Sequence, residues 1–437
     1  MTTLTLALTG DSIVERRLMT RDDPVLRPLF DLIRGADLAF TNLEVLPNDF
    51  RGDPALESGG SHFGAPAWVL DELVEAGFDL FAAATNHSLD YGIAGLKAAM
   101  QQMDRRRLTY AGVGRNLEDA QRPAYHGHPN GTVALLSCCS TFGKGQEASA
   151  QRPDMAGRPG LAPLRFDTMH EVTAEQLTVV QAMADQLGLE ERRQYSVQLG
   201  FRFPPASPDI VQFGDLNFQA AEKPGLRLIA RNADVNAMAR WVREARLSSD
   251  VVLVSVHSHE QADDIEDPAE FMQPFARRMI DEGADLIVGH GPHLLRGMEV
   301  YRGKPIFYSL GNFVGQNELV GRLPSDSYER FRATPDMTPG QIYRLRTDDD
   351  RKGFPSDARY WETVMPVCTF AGGRLTGVDI HPVSLGLGEA THLRGRPRLA
   401  QGDAAASILA RFSSLSAPFA TRVSIDGGVG RVLAAAG

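Results

Sequence analysis

Short apolar runs at residues 4–8, 37–40, 78–84, 133–137, 251–256, 286–288 and 306–308 constrain this chain more than any other feature. Most are separated by segments whose apolar residues recur at helical spacing, at 67–76, 93–106, 235–246 and 268–282. Strands alternating with helices predict an α/β fold.

Five of these runs end in residues that can hold a ligand. They are LALTGDS with Asp11, LAFTNLE with Asn42 and Glu44, and FAAATNHSLDYG with Asn86, His87 and Asp90. VSVHSHE follows with His257, His259 and Glu260, and LIVGHGPH with His290 and His293. Ligands in open α/β sheets bind beyond the carboxyl ends of strands, so five such ends are expected to meet at one site. Carboxylate, amide and imidazole without thiolate form a donor set for one divalent cation among Mn, Zn, Fe, Co and Ca. GVGRN at 112–116 lacks the third glycine of a dinucleotide loop and reads as a turn, so no organic cofactor is expected.

The 437 residues allow one large catalytic domain with additions. Residues 142–225, rich in Pro, Gly, Arg and Gln around one helix-like piece at 173–187, read as an insertion or lid. Residues 320–437 read as a C-terminal cap with closing elements: a charged, Pro-rich stretch, a hairpin turning at AGG and a last helix at 399–412. A formal charge of −10 argues against a nucleic-acid or anionic-membrane partner. Three cysteines, two of them adjacent, give neither a disulfide framework nor a metal-ligand spacing, which fits a reducing compartment. With a first segment that reads as a strand rather than a signal peptide, and no apolar run long enough to span a bilayer, a cytoplasmic location is expected. The sequence leaves the oligomeric state open.

Together GDS, TNLE, TNHSLDYG, VSVHSHE, GHGPH and GKPIFYSLGNF resemble, in order and spacing, the poly-gamma-glutamate capsule synthesis (CapA) family. That family is itself similar to the calcineurin-like metallophosphatases. The resemblance spans roughly residues 4–314 and implies a four-layer fold with a central β-sandwich flanked by helices. By resemblance, Glu44 stands for the bridging carboxylate, Asn86, His257 and His290 for ligands of one metal, and Asp11 and His293 for ligands of a second. His87 with Asp90 matches the proton-donating histidine and its acidic partner. Asp11 is followed by Ser12 and Ile13, where the phosphatase pattern has Asp-x-His, so the second metal lacks a ligand.

With that metal absent, Glu44, Asn86, His257 and His290 would hold one ion, and about two waters would complete six ligands. Asp11 with His293 and His87 with Asp90 would then be two acid/base dyads, as a two-base exchange of a Cα proton requires. The family's soluble branch includes the epimerase of lasso-peptide biosynthesis, and likeness to it implies a metal-dependent peptide epimerase acting on the C-terminal residue of a ribosomal precursor. The alternative is a metal-dependent hydrolase of an amide, such as poly-gamma-glutamate, or of a phosphoester. His62, His259 and Glu260 are expected to contact the peptide substrate.

Overall fold

The computed structural model describes residues 2–433. Two sheets face each other across an apolar interior. In the ten-stranded sheet, strand Thr3–Ile13 runs parallel to Leu38–Leu43 on one side and antiparallel to Glu362–Ala371 on the other. Parallel pairing continues from Leu38–Leu43 to Leu80–Ala82 and Thr109–Ala111. In the six-stranded sheet, Gly131–Cys139, Val251–His257, Leu286–His290 and Lys304–Phe307 are parallel neighbours in that order.

Alternation along each strand assigns its two faces. Leu4, Leu6, Leu8, Leu38, Phe40 and Leu80 enter the space between the sheets, where they meet Val133, Leu135, Leu253, Val288 and Phe307. Ala7, Ala39 and Phe81 face the opposite way, beneath helices Arg27–Gly35, Trp68–Ala76 and Gly92–Arg105. Across the molecule, Leu136, Val252 and Val254 pack under Asn232–Ser248 and Met272–Asp281. The result is the expected four layers, helices outside and two sheets inside. Burial on both faces explains the continuously apolar runs, since each fully buried Val, Leu or Phe contributes roughly 1.5–3 kcal/mol.

The C-terminal region is less of a cap than the sequence implied. Hairpin Glu362–Ala371 and Arg374–Ser384 turns at Gly372 and Gly373, both at positive φ, and joins the large sheet. Its Val364, Cys368 and Phe370 fill the same interior, as do Ile408, Leu409 and Phe412 of helix Gly402–Ser416. The stretch before the hairpin, with short helices Ser325–Arg330 and Pro339–Thr347, lies outside the sandwich.

The insertion also differs from expectation. Strands Phe166–Val172, Val211–Phe213, Leu216–Ala220 and Gly225–Ala230 form a separate four-stranded sheet, accompanied by two helices, Ala174–Gln186 and Leu189–Gln198, rather than one. Residues 142–165 belong to the body, where Leu161, Ala162 and Leu164 are buried in the main cores. The small sheet joins the body beside the helix layer, through Phe166 stacked on Phe271 and Arg165 paired with Asp234. Among the described residues, no helix is long and apolar enough to cross a membrane.

Candidate metal centre and flanking imidazoles

Strand register brings the polar strand ends into one row. Asp11 stands opposite Asn42 on one side and Asn312 on the other, and His257 stands opposite His290. Glu44, Asn86 and His87 follow the ends of Leu38–Leu43 and Leu80–Ala82. Glycines let the chain close around them. A Cβ on Gly289 would lie 2.2 Å from the Tyr308 carbonyl oxygen. Gly291 has φ +114° and packs on the Ser258 backbone, so the turn between His290 and His293 requires glycine there. His293 itself is held at φ 62°, a strained conformation of the kind that concentrates at functional sites.

Asp11, Glu44 and His257 are fully buried. Asn42 Nδ2 donates to Asp11 Oδ1 at 2.8 Å. The other Asp11 oxygen is 3.4 Å from His293 Nδ1, while His290 Nδ1 is 3.6 Å from Oδ1. Glu44 Oε1 lies 3.7 Å from Nε2 of both His257 and His293. Both Glu44 oxygens, Asn86 Oδ1 and both ring nitrogens of His290 are buried without a hydrogen-bond partner. Such groups are costly to bury unsatisfied, and a divalent cation would satisfy them together.

Among the described residues, two groups of three have donor atoms within 4.8 Å of one another: Asp11, Glu44 and His257, and Glu44, His259 and His293. This changes the expected assignment in two respects. Asp11 and His293 are not separated from the donor cluster, because the ends of both sheets converge on Glu44. His259, expected to contact substrate, has Nε2 3.1 Å from His257 Nε2 and lies inside the cluster.

Electrostatics reinforce the donor character. Burial, opposed by Asp11 and reinforced by the nearby His290 and His293, lowers the His257 pKa to about 3. Burial likewise lowers His290 to about 4, and burial with His257 and His293 lowers His259. All three imidazoles are therefore neutral, the form that coordinates a metal. Burial and then the Asp11 charge push Glu44 up. Burial would also raise Asp11, but the His293 hydrogen bond and the closeness of His293, His290 and His257 hold it below the ordinary carboxylate range.

Two further imidazoles are oriented at Nδ1. His87 Nδ1 is 2.7 Å from Asp90 Oδ2, which also accepts the Phe63 backbone N–H at 2.7 Å. His293 Nδ1 is 2.9 Å from Asn312 Oδ1, closer than to Asp11. The amide thus replaces the carboxylate as the nearer partner of the expected Asp11–His293 dyad. Asn312 lies in the quoted SLGNF motif, and that motif was the available signal for its role.

The remaining two expected substrate contacts are otherwise engaged. Glu260 accepts hydrogen bonds from the hydroxyls of Ser140, Thr141 and Ser258. Thr141 Oγ1 in turn accepts the His259 backbone N–H at 2.8 Å, so Glu260 braces the strand tip that carries His257 and His259. His62 is buried, with Nε2 2.9 Å from the Ala55 carbonyl and its ring edge-on to Tyr91.

Comparison with known proteins agrees with the motif order. Two uncharacterized proteins of Sinorhizobium fredii, y4sH and y4uA, are each 31% identical over 98% of this chain and 92% of their own length. The PGA biosynthesis protein CapA of Bacillus subtilis is 27% identical over 62% of this chain and 54% of its own. The capsule biosynthesis protein CapA of Bacillus anthracis is 25% identical over 71% and 59%. The model of the bacterial capsule synthesis protein PGA_cap matches residues 5–317, which include every candidate donor described above, and the chain belongs to that family.

Proposed function

We propose that the chain is a metal-dependent peptide epimerase that removes and returns a Cα proton, with the C-terminal residue of a ribosomal, lasso-type precursor peptide as its target. The observation that carries this reading is the pair of imidazoles oriented at Nδ1. His87, held by Asp90, comes from the ten-stranded sheet, and His293, held by Asn312, comes from the six-stranded sheet. His293 adjoins the buried donor cluster around Glu44.

The donor chemistry fits a divalent cation, with Glu44, Asn86, His257 and His290 as the expected holders and Asp11 and His259 adjoining them. When bound, the cation would supply positive charge that favours ionisation of the substrate. The rest falls to the chain. A hydrogen bond at Nδ1 fixes the imidazole tautomer and leaves Nε2 to accept or donate a proton. One imidazole takes the Cα proton, leaving its electron pair in the substrate carbonyl system. The other imidazolium delivers a proton to the opposite face, and the centre is inverted. Burial of the cluster excludes water that would otherwise compete for the proton.

A second reading is favoured by Glu44 belonging to both three-residue donor groups. A carboxylate shared by two cations suits a dinuclear hydrolase of an amide or phosphoester bond, with His293 as a ligand rather than a base. Incubating the metal-loaded protein with short peptides in D2O separates the two. Epimerisation gives a one-dalton gain with inversion and no cleavage, and it is lost in both His87→Ala and His293→Ala. Hydrolysed product without exchange would overturn the epimerase reading.

A further inference from the structure

The wall beside His293 comes from the C-terminal segment, beyond residues 5–317. The Phe354 ring sits 5.2 Å from the His293 ring at 63°, and Tyr360 packs against Phe354 at 4.3 Å and 33°. Both aromatic residues are only partly buried, whereas Pro355 between them is buried. The segment is tied down from two directions. Trp361 Nε1 donates to the Phe354 carbonyl at 2.7 Å, and Asn312 Nδ2 donates to the Tyr360 carbonyl at 3.2 Å. Asn312 is also the residue whose Oδ1 meets His293, so one amide fixes both the wall and the imidazole.

We propose that Phe354, backed by Tyr360, determines substrate specificity and takes a flat apolar side chain on the peptide residue that reacts. The inference rests on the peptide reading above. A partly exposed ring held edge-on to the imidazole gives an apolar side chain a surface to pack on, with aromatic pairs adding to the burial. Arg359, the cation next to Tyr360, is already paired with Asp357 and faces Glu266, so it offers an acidic side chain little.

The test is calorimetric titration of the metal-loaded protein with N-acetyl-phenylalanine and with N-acetyl-glutamate. The phenylalanine derivative should bind about tenfold tighter, the discrimination one well-packed apolar side chain provides. In Phe354→Ala the ratio should fall towards one. Phe354→Leu, which retains an apolar side chain against Tyr360, should fall between them with an unchanged unfolding midpoint. Equal binding in the wild-type protein, preference for the glutamate derivative, a ratio unchanged in both variants, or binding of neither probe would overturn the proposal. Because the ratio is read without turnover, an outcome of hydrolysis rather than epimerisation would leave it standing. Equal binding of the two probes by a wild-type protein whose proton exchange is intact would remove this proposal alone.

Discussion

Asn312 holds His293: its Oδ1 lies 2.9 Å from the imidazole Nδ1, while Asp11 stands farther off at 3.4 Å. A base oriented by a neutral amide keeps its tautomer without a carboxylate drawing the ring into a tight ion pair. Removing the amide in Asn312→Ala should slow proton exchange by roughly 10- to 100-fold, the usual cost of losing an orienting partner. Metal content measured on the same preparation should stay unchanged. Metal loss together with activity would instead make His293 a ligand, as the hydrolase reading requires.

The turn between His290 and His293 sets a second expectation. Gly291 at φ +114° stands against the Ser258 backbone, with a Cβ position only 2.9 Å from the nearest atom. Gly291→Ala should destabilise the protein by about 1–3 kcal/mol, read as a lower denaturant midpoint at unchanged m-value. An unaltered midpoint would mean that the turn tolerates a side chain and is not constrained as described.

A third expectation concerns the support of the aromatic wall. Arg394 and Glu318 form a buried ion pair, each side chain 6% exposed, and the Arg394 guanidinium lies over Trp361 at 5.5 Å. Arg394 also pairs with Asp350 at 2.7 Å, so the charge that truncation strands is Glu318. Arg394→Ala should therefore cost about 3–5 kcal/mol in equilibrium unfolding. Replacing both residues with apolar ones of similar size should recover most of that loss. If the single and double replacements are equally unstable, packing rather than charge dominates there.

The sandwich was legible in the sequence because its parallel strands are buried on both faces and written in continuous apolar runs, as in VVLVSVH. The site was legible for the same reason, since a polar residue that ends such a run must lie at the strand's carboxyl end. What escaped detection was tertiary. FDTMHEV and LNFQA belong to a small half-exposed sheet, and their weak alternation carries no clear strand signal. His259 was placed near the substrate because the HSHE spacing does not reveal that its ring turns back to His257. Phe354 sits in a charged, Pro-rich stretch, and nothing local records its contact with a histidine 61 positions earlier. Asn312 was visible only as part of a motif, because an amide's partners are not encoded by its neighbours.

Glu44 is proposed to anchor a cation at the meeting point of the two sheets. Elemental analysis of the purified protein and of Glu44→Gln, dialysed side by side, tests it most directly. About one divalent metal per chain is expected in the wild-type protein and background levels in the variant, with both still folded by circular dichroism. Metal at background in both, or retained equally in the variant, would contradict it.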